Sequence, residues 1–464
     1  MSTVMVPSSD GTTIDYSDVF NTSQNLPLAL AVANALAASL AGDSLNAQTY
    51  TPLTTPAAVP GDINELVVPT SLSGGTVLTP SGYSFVADST GGGAFTVIGA
   101  QNFVGGNGNL TIWDTVGAAS VGGGVNSIAA GDGNDLFGLI PGSVYTVAGG
   151  NGNDTYFANG SGAIADGTGN NLIFAGSSVG SGNLVLSYGQ DTISVGDGAN
   201  TVATFGSDQI IFGGTGSLTA FGNTSANETV VGGAGSETIF SGTSGVYFLG
   251  SSTSLFVGNT SSNSSIIGTT GQGTVFGGAS SSEVIFNNSA SLTFVSGVDD
   301  SATIVGGSVA SSLFGSAGSA ITYFATASTA GALYAAGAGN ETLNAAGSPA
   351  NNSIFGGMDP TSGNSLVGGA GNDTFIAGTG SDTMVGGGGG NEFFFTHGQA
   401  GGNDFIVGFS SSDLVRFFGY GTDVASAMAA ATVAGGNTTI ALSDNTKITF
   451  EDISTTKAIP FFST

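Results

Sequence analysis

Residues 368–395 read GGAGNDTFI, AGTGSDTMV, G and GGGGNEFFF. Each nine-residue unit has glycine at its second and fourth places. A side-chain oxygen stands at the sixth (Asp373, Asp382, Glu392) and a large apolar residue at the eighth (Phe375, Met384, Phe394), with Gly386 outside the count. The glycine half can turn with positive φ at little steric cost, and it leaves carbonyls, such as those of Gly369 and Gly371, and a carboxylate facing one spot. The apolar half is a short strand with one side chain pointing inward. One unit therefore makes a turn and a strand, and two units make one coil of a flattened parallel solenoid. Turns two units apart lie above one another, so the spacing predicts that the oxygens of Asp373 and Glu392 converge on a cation between coils. Calcium suits such a place, since it takes about six to eight oxygen ligands in irregular geometry.

The same beat opens the series upstream, in GGNGNLTIW from residue 105, AGDGNDLFG from 130, GGNGNDTYF from 149 and DGTGNNLIF from 166. The last three are spaced at close to twice nine, so their turns stack on one edge. Asp135 and Asp154 form a second candidate calcium row, with Asp132, Gly150 and Gly152 in the same turns and Asn171 a weaker neighbour. Between residues 195 and 344 many units keep the length and the apolar pair but lose the acid, as in GGSVASSLF from 306. Ser, Thr and Asn can satisfy turn backbone groups themselves, so a coil need not hold metal to be stable.

These consecutive units resemble the calcium-binding nonapeptide of the RTX, or hemolysin-type, secreted proteins. The resemblance covers roughly residues 105–464 and is strongest after Gly368. It implies a parallel β-roll with calcium in its turns, and export of an unprocessed chain by a type I system that reads the C-terminus.

Composition bounds the rest. The 464 residues include 81 glycines, 30 phenylalanines and 40% hydrophobic residues, which argues for ordered turns and strands rather than a disordered chain. Acidic residues number 31 against three basic ones, Arg416, Lys447 and Lys457, for a formal charge of −28. Such a surface repels phosphate backbones, which excludes nucleic-acid binding, and it attracts divalent cations. There is no cysteine for disulfides or thiolate metal sites. No apolar run reaches the roughly 18 to 20 residues of a membrane span.

Four regions follow. Residues 1–43 hold an Ala/Leu-rich stretch, Leu26 to Ala41, that reads as a helix capping the first coil, with docking on another subunit and a cleavable export segment without basic residues as further readings. Residues 44–104 carry Pro52, Pro56, Pro60, Pro69 and Pro80 and read as an extended segment leading into β structure. Residues 105–395 are the solenoid, about 15 coils that stack at roughly 4.8 Å. Residues 396–464 are a C-terminal cap: an apolar cluster around Phe405, Phe409 and Phe417, a short helix starting at Thr422, and a hairpin turning at Ser443 to Asn445. The fold class is all-β.

Catalytic readings are weak. His397 is the only histidine, so neither a triad nor a histidine metal site is expected. Asp299 and Asp300 are adjacent and point apart on a strand or share one turn, which does not suit paired-carboxylate chemistry. Trp113 and most Phe and Tyr are read as core. The sequence is therefore read as a non-enzymatic, secreted, calcium-dependent structural protein at a bacterial surface, whose partner is itself, in a layer or filament. The alternatives are an adhesin or matrix protein binding polysaccharide or a host surface, and a hydrolase with acids on the solenoid face. Trypsin, which needs Lys or Arg, is expected to cut the unfolded chain only at Arg416 and beyond. A tryptic fragment ending before that residue would contradict the sequence.

Overall fold

An inward side chain every second residue and a turn every few residues produce the same short strand again and again. In the computed structural model the chain is all-β, a parallel β-solenoid of about 17 turns with 3% helix. It describes residues 5–7, 13–15 and 45–464, apart from 53–55, 70–71, 73, 81, 89–93, 100–101, 107, 114–124, 177–180, 225–226, 269, 288–290 and 326–327. The helix read over residues 26–41 lies outside the described residues. Met5–Pro7 and Thr13–Asp15 form a separate antiparallel pair.

Two units divide the chain, Met1–Glu237 and Thr238–Thr464. In the first, successive strands alternate between two parallel sheets. One sheet begins at Leu45–Thr49 and continues through Ile63–Val68 and Tyr83–Asp88. The other begins at Thr76–Leu78 and Phe95–Ile98. The coils thus begin inside the proline-bearing stretch and not near residue 105. All five prolines fall between strands, where no ladder hydrogen bond is required of them. In register, Phe137, Tyr156 and Ile173 stack as one inward column with 17 to 19 residues per coil, and all three are fully buried. The Phe137 and Tyr156 rings lie 4.7 Å apart and nearly parallel, close to the strand spacing itself.

The second unit repeats this plan with coils of 18 to 23 residues. Phe375 and Phe393 are stacked inside it at 5.0 Å. Both sheets run past residue 395, through Asn403–Val407 and Leu414–Phe418. The cap that follows is the helix Asp423–Ala429, which buries Val424, Ala427 and Met428, and an antiparallel set formed by Thr432–Ala434, Asn437–Ala441 and Lys447–Phe450. The hairpin turns at Asn445, in the left-handed region at φ 71°, within the stretch read for it. Thr422 precedes the helix without a side-chain capping bond.

Glycine in the turns has two separate causes. Gly150 and Gly152 have φ of +93° and +141°, as a turn glycine should, whereas Gly369 and Gly371 do not lie in that region. What all four share is the carbonyl of the coil before. A Cβ would stand 2.0 Å from Gly131 O at Gly150, 1.6 Å from Gly133 O at Gly152, 2.0 Å from Ser348 O at Gly369 and 2.3 Å from Ala350 O at Gly371. Gly152→Ala combines both penalties and is expected to cost at least about 2 kcal/mol, read as a fall in the denaturation midpoint. A change below about 0.5 kcal/mol would show that the turns are not held this tightly.

Candidate functional site

The sixth-place side chains form ladders of their own. Strand pairing satisfies backbone groups along the sheets, but the amide just before each strand sits in a dry turn and needs an acceptor. The side chain one coil later supplies it. In the first unit Asp135 Oδ1 accepts from Leu110 N at 2.7 Å and Asp154 Oδ1 from Asp135 N at 2.8 Å. Asn171 Oδ1 accepts from Asp154 N at 2.7 Å and Asp191 Oδ1 from Asn171 N at 2.8 Å. The second unit has two such rows. In one, Asp373, Asn391 and Asp413 each accept from the amide of the preceding row member, at 2.7, 2.9 and 2.7 Å. In the other, Asn364, Asp382 and Asp404 do so at 2.9, 3.1 and 3.0 Å. All these side chains are buried.

An amide oxygen serves such a row as well as a carboxylate, which is why the beat survives where the acid is lost. The carboxylates differ in their second oxygen. Asp373 Oδ2 accepts from Gly369 N at 2.7 Å and Asp413 Oδ2 from Ser410 N at 2.7 Å. Asp382 Oδ2 lies by the Gly378 amide, outside hydrogen-bond geometry. Asp135 Oδ2 and Asp404 Oδ2 are buried with no donor at all. The first-place glycine makes the room for this oxygen: a Cβ on Gly368 would stand 2.4 Å from Asp373 Oδ2, and on Gly149 2.7 Å from Asp154 Oδ2.

Burial penalises the charged form, and in five of these carboxyls it raises the pKa above the usual carboxylate range. Asp135 is pushed up to about 7 by burial, with a smaller push from Asp132. Asp154 is pushed up to about 8 by burial and then by the charge of Asp135, and Asp404 to about 8 by burial. Asp373 and Asp382 are raised by burial as well.

The structure places the residues singled out by sequence as follows. Asp135 and Asp154 are consecutive members of one row, and Asp373 and Asp382 belong to two different rows. Glu392 joins neither. It faces outward on its strand, where its carboxylate grips the Arg416 guanidinium at 3.0 Å and 2.6 Å, and Asn391 takes the place beside Asp373. The cause is register. Gly386, read as a spare residue, is the first of its unit, and a one-residue slip moves every side chain to the other face. Phe393 and not Phe394 is accordingly the inward residue. Asp132 is a partly buried third-place residue that accepts from the Asn151 backbone and side-chain amides at 3.3 and 2.7 Å. Gly150, Gly152, Gly369 and Gly371 are the close-packed turn glycines described above.

Several buried acids lie outside the nonapeptide pattern. Asp166 is fully buried, accepting from Tyr188 N at 2.9 Å and from the Asn171 side chain at 3.2 Å. Asp191, Asp404 and Asp413 complete rows. Asp166 stands at a first place, and Asp413 in SSSDL has no glycine around it, so the nonapeptide pattern did not mark them. Asp300 is buried against Ser281 Oγ at 2.9 Å, whereas Asp299 forms the turn at φ 55°. His397 stands edge-on to Tyr420 in the cap, ring centres 5.1 Å apart. Trp113 is not core: it points outward from its strand and covers Gly138, where a Cβ would meet its ring at 2.1 Å.

Among the described residues no three acidic or histidine side chains converge at metal-binding distance. A calcium ion in either unit would thus draw on turn carbonyls together with a single donorless carboxyl oxygen, Asp135 Oδ2 in the first unit or Asp404 Oδ2 in the second, an all-oxygen set of the right chemistry. No protein-family model and no curated protein matches the chain.

The raised values give a sign. A carboxyl whose folded pKa exceeds its unfolded one stabilises the fold at low pH, and that contribution is lost as pH rises through the folded value. In chelator, the melting temperature is expected to fall between about pH 4 and about pH 8, the window set by Asp154 and Asp404. Millimolar calcium should remove that fall, because a cation replaces the proton. A melting temperature that climbs with pH in chelator would refute buried, proton-holding rows.

Proposed function

We infer that this β-solenoid is a secreted, calcium-binding structural protein of the RTX type that assembles with itself into a layer or filament on a bacterial surface. One observation carries the reading: the sixth-place carboxyls are built into the coil interior, where they cap amides of the neighbouring coil. Chemistry-bearing groups spent on coil-to-coil contact support a building block over a catalyst. The donorless oxygens of Asp135 and Asp404 support calcium as its stiffener, and export by a type I system belongs to the resemblance.

Self-assembly has support at the sheet ends. Among the described residues Leu45–Thr49 pairs on one side only, with Ile63–Val68. Phe461–Ser463 pairs on one side only, with Leu414–Phe418, and exposes Phe461 and Phe462. A strand edge that its own chain leaves uncovered invites pairing with another chain. The exposed ring of Trp113 favours a second reading, an adhesin that stacks on polysaccharide.

Electron microscopy and sedimentation, each with calcium and with chelator, decide between them. Ordered assemblies in calcium that disperse in chelator are expected. A chain that stays monomeric in calcium at every concentration, and binds a glycan saturably, would replace the first reading with the second.

A further inference from the structure

One broad face of the first unit is built unlike the surface of a highly acidic chain. Eight strands in lateral register, from Phe95–Ile98 to Asn227–Val231, present their outward side chains in two columns. One column alternates threonine with Leu136, Leu172 and Ile210, and the other carries Trp113, Phe157, Phe174 and Phe212. Not one outward position on these strands is charged, although the chain carries −28. Trp113 is 41% exposed, Phe157 40%, Phe174 39% and Phe212 41%, and the Phe157 and Phe174 rings lie parallel at 5.3 Å. A solitary outward aromatic needs no explanation, but a mainly apolar column on a rigid sheet, interrupted at Ser194, marks a contact surface.

We propose that this face packs against the same face of a second copy of the chain, ring column against ring column. The inference rests on the self-assembly reading and names its lateral interface. Three features select a second copy. An array of rings set one or two coil spacings apart is matched over its length by another array of the same spacing, and this chain supplies one. The face is also one on which two copies can touch without bringing strand carboxylates together. The patch measures about 34 Å by 13 Å from strand spacing and rise, and a face-to-face pair covers on the order of 1,000 Å² of accessible surface, about the least a specific contact needs. A two-fold axis lying in the plane of the face closes the pair and leaves both strand edges free to extend it.

The test uses the full chain in calcium, comparing wild type with the triple variant Phe157→Ser, Phe174→Ser, Phe212→Ser. Serine is chosen because Ser194 already occupies that column between Phe174 and Phe212. The single variant Phe174→Thr covers the case in which the triple fails to fold. Sedimentation should show wild type assembled, the triple reduced to the 44.9 kDa monomer or to end-to-end strings without lateral pairing, and the single intermediate, with circular dichroism unchanged. Variants that pair laterally like wild type overturn this interface while leaving self-assembly intact, whereas a monomeric wild type overturns both. Two other outcomes overturn the second copy as occupant. Melting that drops while assembly persists would mean the face is covered within one chain, and glycan binding lost only in the variants would mean its partner is a polysaccharide.

Discussion

Everything in this fold follows from stacking one turn directly on another at strand spacing. At about 4.8 Å there is no room between turns for a side chain or for water, so an amide that points into the stack must find its acceptor within the protein. The chain answers with glycine where a carbonyl lies overhead and with a short oxygen-bearing side chain at the sixth place. Gly152 under the Gly133 carbonyl and Asp154 under the Asp135 amide are two sides of one restriction.

That solution puts acid where acid is least welcome. A charged carboxylate in a dry turn is costly, and a like charge one coil away adds to the cost. The rows show how it is contained. Amides are interleaved with acids, as Asn171 is between Asp154 and Asp191 and Asn391 between Asp373 and Asp413, so the carboxyls of those two pairs are separated by two coil spacings. Where two acids adjoin, as at Asp135–Asp154 and Asp382–Asp404, an oxygen is left without a donor at Asp135 and Asp404. Those are the places where a proton or a cation matters most, and they couple the stability of the coils to the ionic conditions around them.

Much of the fold could be read in the sequence because its period is a direct imprint of the coil. Phe375, Met384 and Tyr156 sit where an eighth-place residue should. What failed was phase, not period. In a run of five glycines, 386–390, nothing local fixes which is the first, so Glu392 was set inside when it belongs outside. The prolines before residue 105 suggested a break in the coil, but they occupy turns and leave the ladders intact. Aromatic content misled for a different reason: each unit offers two apolar places, and only the eighth is inward. The ninth, where Trp113, Phe157 and Phe174 stand, faces out, so hydrophobicity alone could not separate core from surface. The rows themselves were half visible. Pattern matching found Asp135, Asp154, Asp373 and Asp382, but only three-dimensional register brings in Asn391, whose unit starts one glycine earlier than it reads, and Asp413, whose flank lacks the second- and fourth-place glycines.

The Glu392–Arg416 pair has one more implication. Arg416 lies between the Phe394 and Phe462 rings, 5.7 and 5.9 Å from their centres, while Glu392 holds its guanidinium from the adjoining strand. The final strand, Phe461–Ser463, is therefore fastened partly by a side-chain latch and not by a coil on each side. A latch of this kind weakens with salt, whereas stacked coils do not. Fraying of this unit thus has a preferred starting point, and the closing residues of the chain act as its catch.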